Sequence, residues 1–212
     1  MELKIDKQVR GTRIIYGDEA KKRRSILNKM IQIVEEQGFN EIILPSIEKS
    51  EIYSDKAGKE ILTQMYFFKD KGDRDLCLRP EVTATIQLLG DNNWKYEKDI
   101  KLWYFEKCWR YEKPQKGRYR EFFQFGVEII NPSNDMTKDL IDLGEKLISS
   151  FVDNYEIVNS VKRGLNYYVE DGFEIRVDSL GSQKQVLGGG KYKQGNGFAI
   201  GFDRLMLCVQ NK

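Results

Sequence analysis

Histidine is missing from this chain of 212 residues, and cysteine (three), proline (four) and tryptophan (three) are sparse. Without an imidazole there is no histidine general base, no Ser-His-Asp triad, no Cys-His nucleophile pair and no histidine-bearing zinc site. Cys77, Cys108 and Cys208 are odd in number and far apart, so no pair has metal-site spacing. Long apolar runs and a signal-like leader are lacking too, which predicts no membrane segment and a reducing, cytoplasmic setting. Charge of one sign is also lacking. The 35 basic and 33 acidic residues leave a net +2, which says little about nucleic acid. Hydrophobic residues make up 40% and charged ones 32%, enough for a folded core and too balanced for a disordered chain. The length suits one substantial domain, 1–212, better than two small ones.

What is present is concentrated in Trp103 to Glu128, WYFEKCWRYEKPQKGRYREFFQFGVE. It reads as two strands joined by a basic turn. Side chains alternate across a strand, so Arg110 shares a face with Glu106, Cys108 and Glu112, and Phe122, Gln124, Gly126 and Glu128 share one on the second strand. Phe123, Phe125 and Val127 point the other way. With the aromatic face buried, the polar face lines a cavity that Arg118 and Arg120 approach from the turn. Guanidiniums beside carboxylates suit a ligand carrying both an anion and an ammonium.

Around this hairpin the chain alternates helices and strands. Residues 17–37 carry Ile26, Met30, Ile33 and Val34 at helical spacing, with Asp18 as cap and Gly38 as stop. The Lys21–Arg24 run reads as solvated helix surface. Residues 39–43 predict a strand ended by Pro45; 61–69 and 75–79 predict two more, and a short helix begins near Glu81. A second amphipathic helix spans 137–151, and strands fall at 172–178 and 198–200. Gly188 to Gly190 reads as a turn, and 203–209 as a last helix. Hairpin connections without regular βαβ units favour an α+β domain on a mostly antiparallel sheet.

Three further segments can join the hairpin. LRPEVTA sets Glu81 and Thr83 where a carboxylate and a hydroxyl can receive an amino group. RGLNYY brings Arg163 beside Tyr167 and Tyr168. GFAIGFDRL puts Arg204 on the first turn of a helix behind a glycine-lined strand. Several arginines facing one cavity suggest a polyphosphate.

Together with GFNEIILPSIEKSEIY, these segments resemble the class II aminoacyl-tRNA synthetases, and specifically the catalytic domain of histidyl-tRNA synthetase, over roughly Gly11 to Leu207. The resemblance implies a six-stranded antiparallel sheet flanked by helices, usually in a homodimer. It implies L-histidine and ATP as substrates, with Mg²⁺ carried mainly by ATP and no metal held by protein side chains. Arg110 would contact both the amino-acid carboxylate and the α-phosphate, with Arg163 opposite it. Glu112 would read the adenine edge, Phe122 would stack on the base, and Arg118 and Arg204 would hold the outer phosphates. Glu81, Thr83 and Gln124 would bind the amino group, and Glu128, Tyr167 and Tyr168 would surround the imidazole.

The pattern also breaks in places. Asn166 and Lys193 stand where the family has Asp, Val169 where it has a small polar residue, Phe123 where many members have His, and Asp203 where it has Glu. Residues 131–162 leave little room for the family's insertion domain, and no anticodon-binding domain is expected. Transfer to tRNA would then use acceptor-stem contacts or a separate tRNA-binding chain. The alternatives are a non-tRNA acceptor, or a non-catalytic histidine-binding paralogue such as the regulatory subunit of ATP phosphoribosyltransferase.

Overall fold

The computed structural model describes residues 5–54, 58–162, 164–181 and 184–209. Helix α1 (Gly17–Glu35) leads into strands β1 (Asn40–Glu41) and β2 (Ile47–Lys49) and the short helices α2 (Glu51–Ser54) and α3 (Gly58–Gln64). Next come β3 (Tyr66–Lys69), β4 (Asp75–Leu78), α4 (Thr83–Asn92), β5 (Ile100–Trp109), β6 (Glu121–Ile130) and α5 (Thr137–Ser149). Strands β7 (Glu156–Val161), β8 (Gly172–Arg176), β9 (Gln185–Tyr192) and β10 (Gly195–Gly201) precede α6 (Phe202–Cys208).

Six strands form an antiparallel sheet in the order β5-β6-β10-β9-β8-β7, and the two-residue β1 extends it in parallel along β5. The expected six-stranded antiparallel sheet is therefore present, with one parallel edge strand added. A second sheet, β2-β4-β3, stands apart. Among the described residues, no helix is long and apolar enough to cross a membrane.

The two faces of the large sheet bury different things. On one, Trp103, Phe125, Val127, Phe173, Ile175, Leu187, Phe198 and Ile200 pack under α1 and α5. Helix α5 follows the 3.6-residue repeat, with Leu140, Leu143, Leu147 and Ile148 all buried. The stripe of α1, Ile26, Leu27, Met30, Ile33 and Val34, covers its own sheet. The opposite face carries Leu102, Tyr104, Cys108 and Tyr192 beside the polar groups of the site.

Several expectations change. Arg23 is not on a solvated surface: it is 7% exposed, because it falls three residues before Ile26 on the buried stripe of α1. Asp18 does not cap α1; its carboxylate accepts from Lys21 at 3.2 Å, and Tyr16 holds the cap position. Gly38 does end the turn. Its φ of 81° lets the Phe39 N–H return to the Val34 carbonyl at 3.2 Å. Of the strand expected over 61–69, residues 61–64 belong to helix α3 and only Tyr66–Lys69 is strand. Gly188, Gly189 and Gly190 lie within β9 and form no turn; their ladder partners on β10 are Ala199, Phe198 and Gly197.

Candidate active site

The β5–β6 register sets the site. Cys108 pairs with Phe122, Glu106 with Gln124, Tyr104 with Gly126 and Leu102 with Glu128, so all eight share one face, as the alternation predicts. Over this face opens a cavity of about 330 Å³. Its walls include Glu81, Thr83, Arg110, Glu112, Arg118, Phe122, Gln124, Tyr167, Tyr168 and Arg204, so ten of the residues singled out from the sequence meet there. Gly188, Ala199 and Gly201 of β9 and β10 also line it, and their small side chains leave room for a ligand. Arg163 lies outside the described residues.

One part of the cavity is acidic. The Glu81 carboxylate accepts from the backbone N–H of Thr83 (2.8 Å) and Ala84 (3.0 Å) at the start of α4, and from the Tyr167 hydroxyl at 3.3 Å. A carboxylate offers about four acceptor sites, so capacity remains for an ammonium. Glu128 lies one layer deeper. It is fully enclosed, accepting from Thr83 Oγ1 at 2.7 Å and from the Tyr192 hydroxyl at 2.8 Å. Thr83 therefore connects the cavity wall to the carboxylate behind it. Gly197 makes this possible, since any Cβ there would overlap the Glu128 carboxylate.

Another part gathers positive charge. Arg204 donates to the carbonyls of Gly117 (2.9 Å) and Gln185 (3.0 Å). Burial, followed by the nearby Arg118 and Arg110, holds its guanidinium below the ordinary value. Arg110 donates to the Pro80 carbonyl at 2.8 Å, and its guanidinium sits 5.3 Å from the centre of the Phe122 ring. It is close enough to Glu81 to offset part of the rise that burial gives that carboxyl, and close enough to Arg204 to add to the lowering of that guanidinium. Arg110 thus lies between the acidic and basic parts. Arg118 forms an ion pair with Glu112.

Two participants escaped the sequence reading. Tyr192 follows the glycines of β9 and donates to Glu128. Tyr104 buries its hydroxyl near Glu128 with no hydrogen-bond partner among the described residues. Tyr104 has the parity of Arg110 on β5, and that signal could have found it. Cys108 is a packed side chain: burial pushes its thiol up to about 12, and its sulfur lies 3.2 Å from Gln124 Oε1. Asn166, Val169 and Lys193 are exposed and do not line the cavity, whereas Phe123 and Asp203 do.

Burial raises the carboxyls of Glu48, Glu81 and Glu128, the last to about 8 despite hydrogen bonds from Thr83 and Tyr192. A carboxyl raised on folding holds its proton more tightly in the folded chain. Its stabilising contribution is complete below the ordinary carboxyl value of 4.5 and is lost as pH rises through about 8. The ligand-free protein should therefore lose thermal stability between about pH 5 and about pH 8, and Glu128→Gln should flatten that loss. Melting curves across this range check it; parallel curves for the two proteins would show that Glu128 does not titrate there.

The family model described as histidyl-tRNA synthetase matches residues 11–158, more than half of the chain. A histidine–tRNA ligase of Methanospirillum hungatei is 29% identical over 304 residues, covering 94% of this chain and 74% of that protein. An alignment of that length exceeds the 212 residues here, so part of the relative has no counterpart in this chain. Apo histidyl-tRNA synthetase of S. aureus superposes with a TM-score of 0.80 at 26% identity, covering 96% of this chain and 70% of that one. A Bacillus halodurans protein named ATP phosphoribosyltransferase regulatory subunit/histidyl-tRNA synthetase shares the fold, with a TM-score of 0.82 at 16% identity over 100% of this chain and 85% of that one. On fold, motif order and the match over residues 11–158, the chain belongs to the histidyl-tRNA synthetase family.

Proposed function

We propose that this chain activates L-histidine with ATP, forming histidyl-adenylate and pyrophosphate, and passes the histidyl group to tRNA in the cytoplasm. The observation that carries this reading is one cavity joining the buried Glu81 carboxyl, with Glu128 behind it through Thr83, to a cluster of guanidiniums, Arg110, Arg118 and Arg204. A zwitterionic amino acid with a basic side chain satisfies the first group, and a polyphosphate satisfies the second.

The chemistry asks little of a protein base. The histidine carboxylate is already ionised near neutral pH and attacks the α-phosphorus; the bond to the pyrophosphate oxygen breaks, and that leaving group takes the electron pair. In this reading Glu81, Thr83 and Gln124 hold the ammonium, and Glu128 with Tyr168 faces the imidazole, with Tyr167 alongside. Arg110, lying between the acidic and basic groups, neutralises charge developing on the α-phosphoryl oxygens, with Arg163 as its expected counterpart. Phe122 offers a face to the adenine, Glu112 its edge contact, and Arg118 and Arg204 hold the outer phosphates. Among the described residues no three metal-ligating side chains converge, so the fitting role for Mg²⁺ is as an ion carried by the triphosphate, where it supplies further charge neutralisation.

One observation favours the non-catalytic reading, a histidine-binding regulatory paralogue. Glu112 and Arg118 engage each other, so ATP must open that pair or bind around it. Histidine-dependent ATP–pyrophosphate exchange decides between the two. We expect exchange with histidine and with no other amino acid; folded protein that binds histidine yet exchanges with none belongs to the regulatory reading.

Two substitutions should fail differently in that assay. Arg110→Ala removes a preorganised charge from the transition state and should lower turnover by about 10²–10³ at saturating substrates. Glu128→Gln keeps the shape but removes the proton that Glu128 would pass to the imidazole on becoming a carboxylate behind it, so histidine affinity should weaken by the ~1.5–3 kcal/mol of a charge-assisted hydrogen bond. Unchanged histidine affinity and selectivity in Glu128→Gln would assign the pocket to another amino acid.

The same reading implies a homodimer, though not through the stripe of α1, which is spent on its own sheet. Ile43, 79% exposed, and Ile47 lie beside β1 and β2 and remain for a second copy to cover. Specific interfaces bury well over ~1,000 Å². Sedimentation should give a dimer at micromolar concentration, and Ile43→Glu with Ile47→Glu should dissociate it; a strict monomer in the parent protein counts against the assembly.

A further inference from the structure

Asp203 stands outside the roles assigned above, yet the ATP side of the cavity hangs from it. It is 3% exposed on the first turn of α6, immediately before Arg204. Its Oδ2 accepts the backbone N–H of Phe123 at 2.7 Å, and the residue before Phe123 is Phe122. One carboxylate therefore fixes the backbone that presents the ring for the base and the backbone that presents a guanidinium for the phosphates.

Two arginines from the start of the chain hold that carboxylate. Arg23 of α1 places Nη1 2.9 Å from Asp203 Oδ1, with its guanidinium 4.9 Å from the Phe202 ring centre and 5.4 Å from that of Phe123. Arg13 pairs with the same oxygen and lies 3.7 Å from the centre of the Tyr119 ring, in the turn between β5 and β6. A buried carboxylate facing one buried and one half-buried guanidinium is a costly arrangement unless geometry is held closely, and breaking one member strands the others. The histidine side is anchored elsewhere: Glu81 and Thr83 belong to the start of α4, and Gln124 contacts Cys108 on β5.

We propose that Asp203, clamped by Arg13 and Arg23, is a positioning residue for ATP: it sets Phe122 and Arg204 at the separation that adenine and the outer phosphates require. This rests on the reading that ATP occupies the cavity. It also gives the segment before α1 and α1 itself a part in nucleotide binding that their sequence does not announce.

The test compares Asp203→Asn, Asp203→Glu and Arg23→Met with the parent protein, measuring ATP affinity by titration calorimetry and both KM values in pyrophosphate exchange. Asp203→Asn should weaken ATP binding and raise KM for ATP about tenfold, with KM for histidine within about twofold. Asp203→Glu restores the charge and should recover most of that loss. Arg23→Met keeps the packing on Phe123 and Phe202, and should move ATP affinity in the same direction. A purely structural role would lower the active fraction and leave both KM values in place; that result, or equal rises in both, overturns the proposal. Where Asp203→Asn does not fold, Arg13→Gln, at the more exposed of the two arginines, decides by the same two readouts. Calorimetry also separates this proposal from the one beneath it. A parent protein that binds ATP without exchange refutes the activity and still tests Asp203, whereas one that binds no ATP refutes both.

Discussion

The pairing of β5 with β6 has a period of two, and nearly everything functional depends on its register. A slip of one residue would carry Phe122, Gln124 and Glu128 into the core and turn Phe125 and Val127 toward the cavity. Aromatic contacts on the buried face oppose that slip. Trp103 stacks on Phe125 with ring centres 5.8 Å apart, and Phe105 stacks on Phe123 at 4.8 Å. Near the turn, Trp109 and Lys107 both donate to Glu121. On the far side β10 pairs with β6 so that Gly197 falls opposite Glu128, the one place where a side chain would collide with the carboxylate. Gly117, at a φ of 76°, lets the turn fold back onto Arg204.

Buried charge in this molecule is of two kinds, and the difference locates the site. Arg79 is 0% exposed, yet it donates to the carbonyls of Leu44, Pro45 and Lys107 and to Glu106, whose other oxygen accepts from Leu44 N. That network is closed: it ties the end of β1 to β5 and asks for nothing further. Glu81, Glu128 and Arg204 differ. Their ionised forms are disfavoured by burial, and that of Arg204 also by the neighbouring guanidiniums, so a ligand bearing the opposite charges would stabilise them. The closed network supplies rigidity, and the open one supplies the capacity to bind.

Much of this was legible in the residues. Alternation along β5 and β6 gives the two faces of the hairpin directly, because one face is buried and a strand allows no intermediate orientation. The meeting of LRPEVTA and GFAIGFDRL with that hairpin came from family resemblance; composition and periodicity do not bring distant segments together. The errors have physical causes. Gly188 to Gly190 looks like a turn because glycine disfavours strands, but here β10 and the Phe173 and Tyr168 rings crowd Gly189 and Gly190 and leave no room for Cβ atoms. Residues 58–64 lack a decisive period, and packing of Ile61 with Tyr53 and Met65 settles them as helix. Arg23 was misjudged by its neighbours Lys21, Lys22 and Arg24, although its spacing to Ile26 and Met30 already put it inside.

The departures from the family pattern sort by position. Asn166, Val169 and Lys193 replace smaller or acidic residues but face solvent, where a change of charge is screened and no ligand contact is lost. Phe123 and Asp203 are the two that reach the cavity, and they touch: the Asp203 carboxylate accepts from the Phe123 backbone, while Arg23 lies over the Phe123 ring. A shortened acid meets a ring that stacks on Phe105 on one side and supports a guanidinium on the other. With one methylene fewer than glutamate, the carboxylate stays close to the α6 backbone, and Arg13 and Arg23 reach in to meet it. The two unusual residues of this cavity therefore bond to each other, and each is the chain neighbour of another lining residue, Phe122 or Arg204.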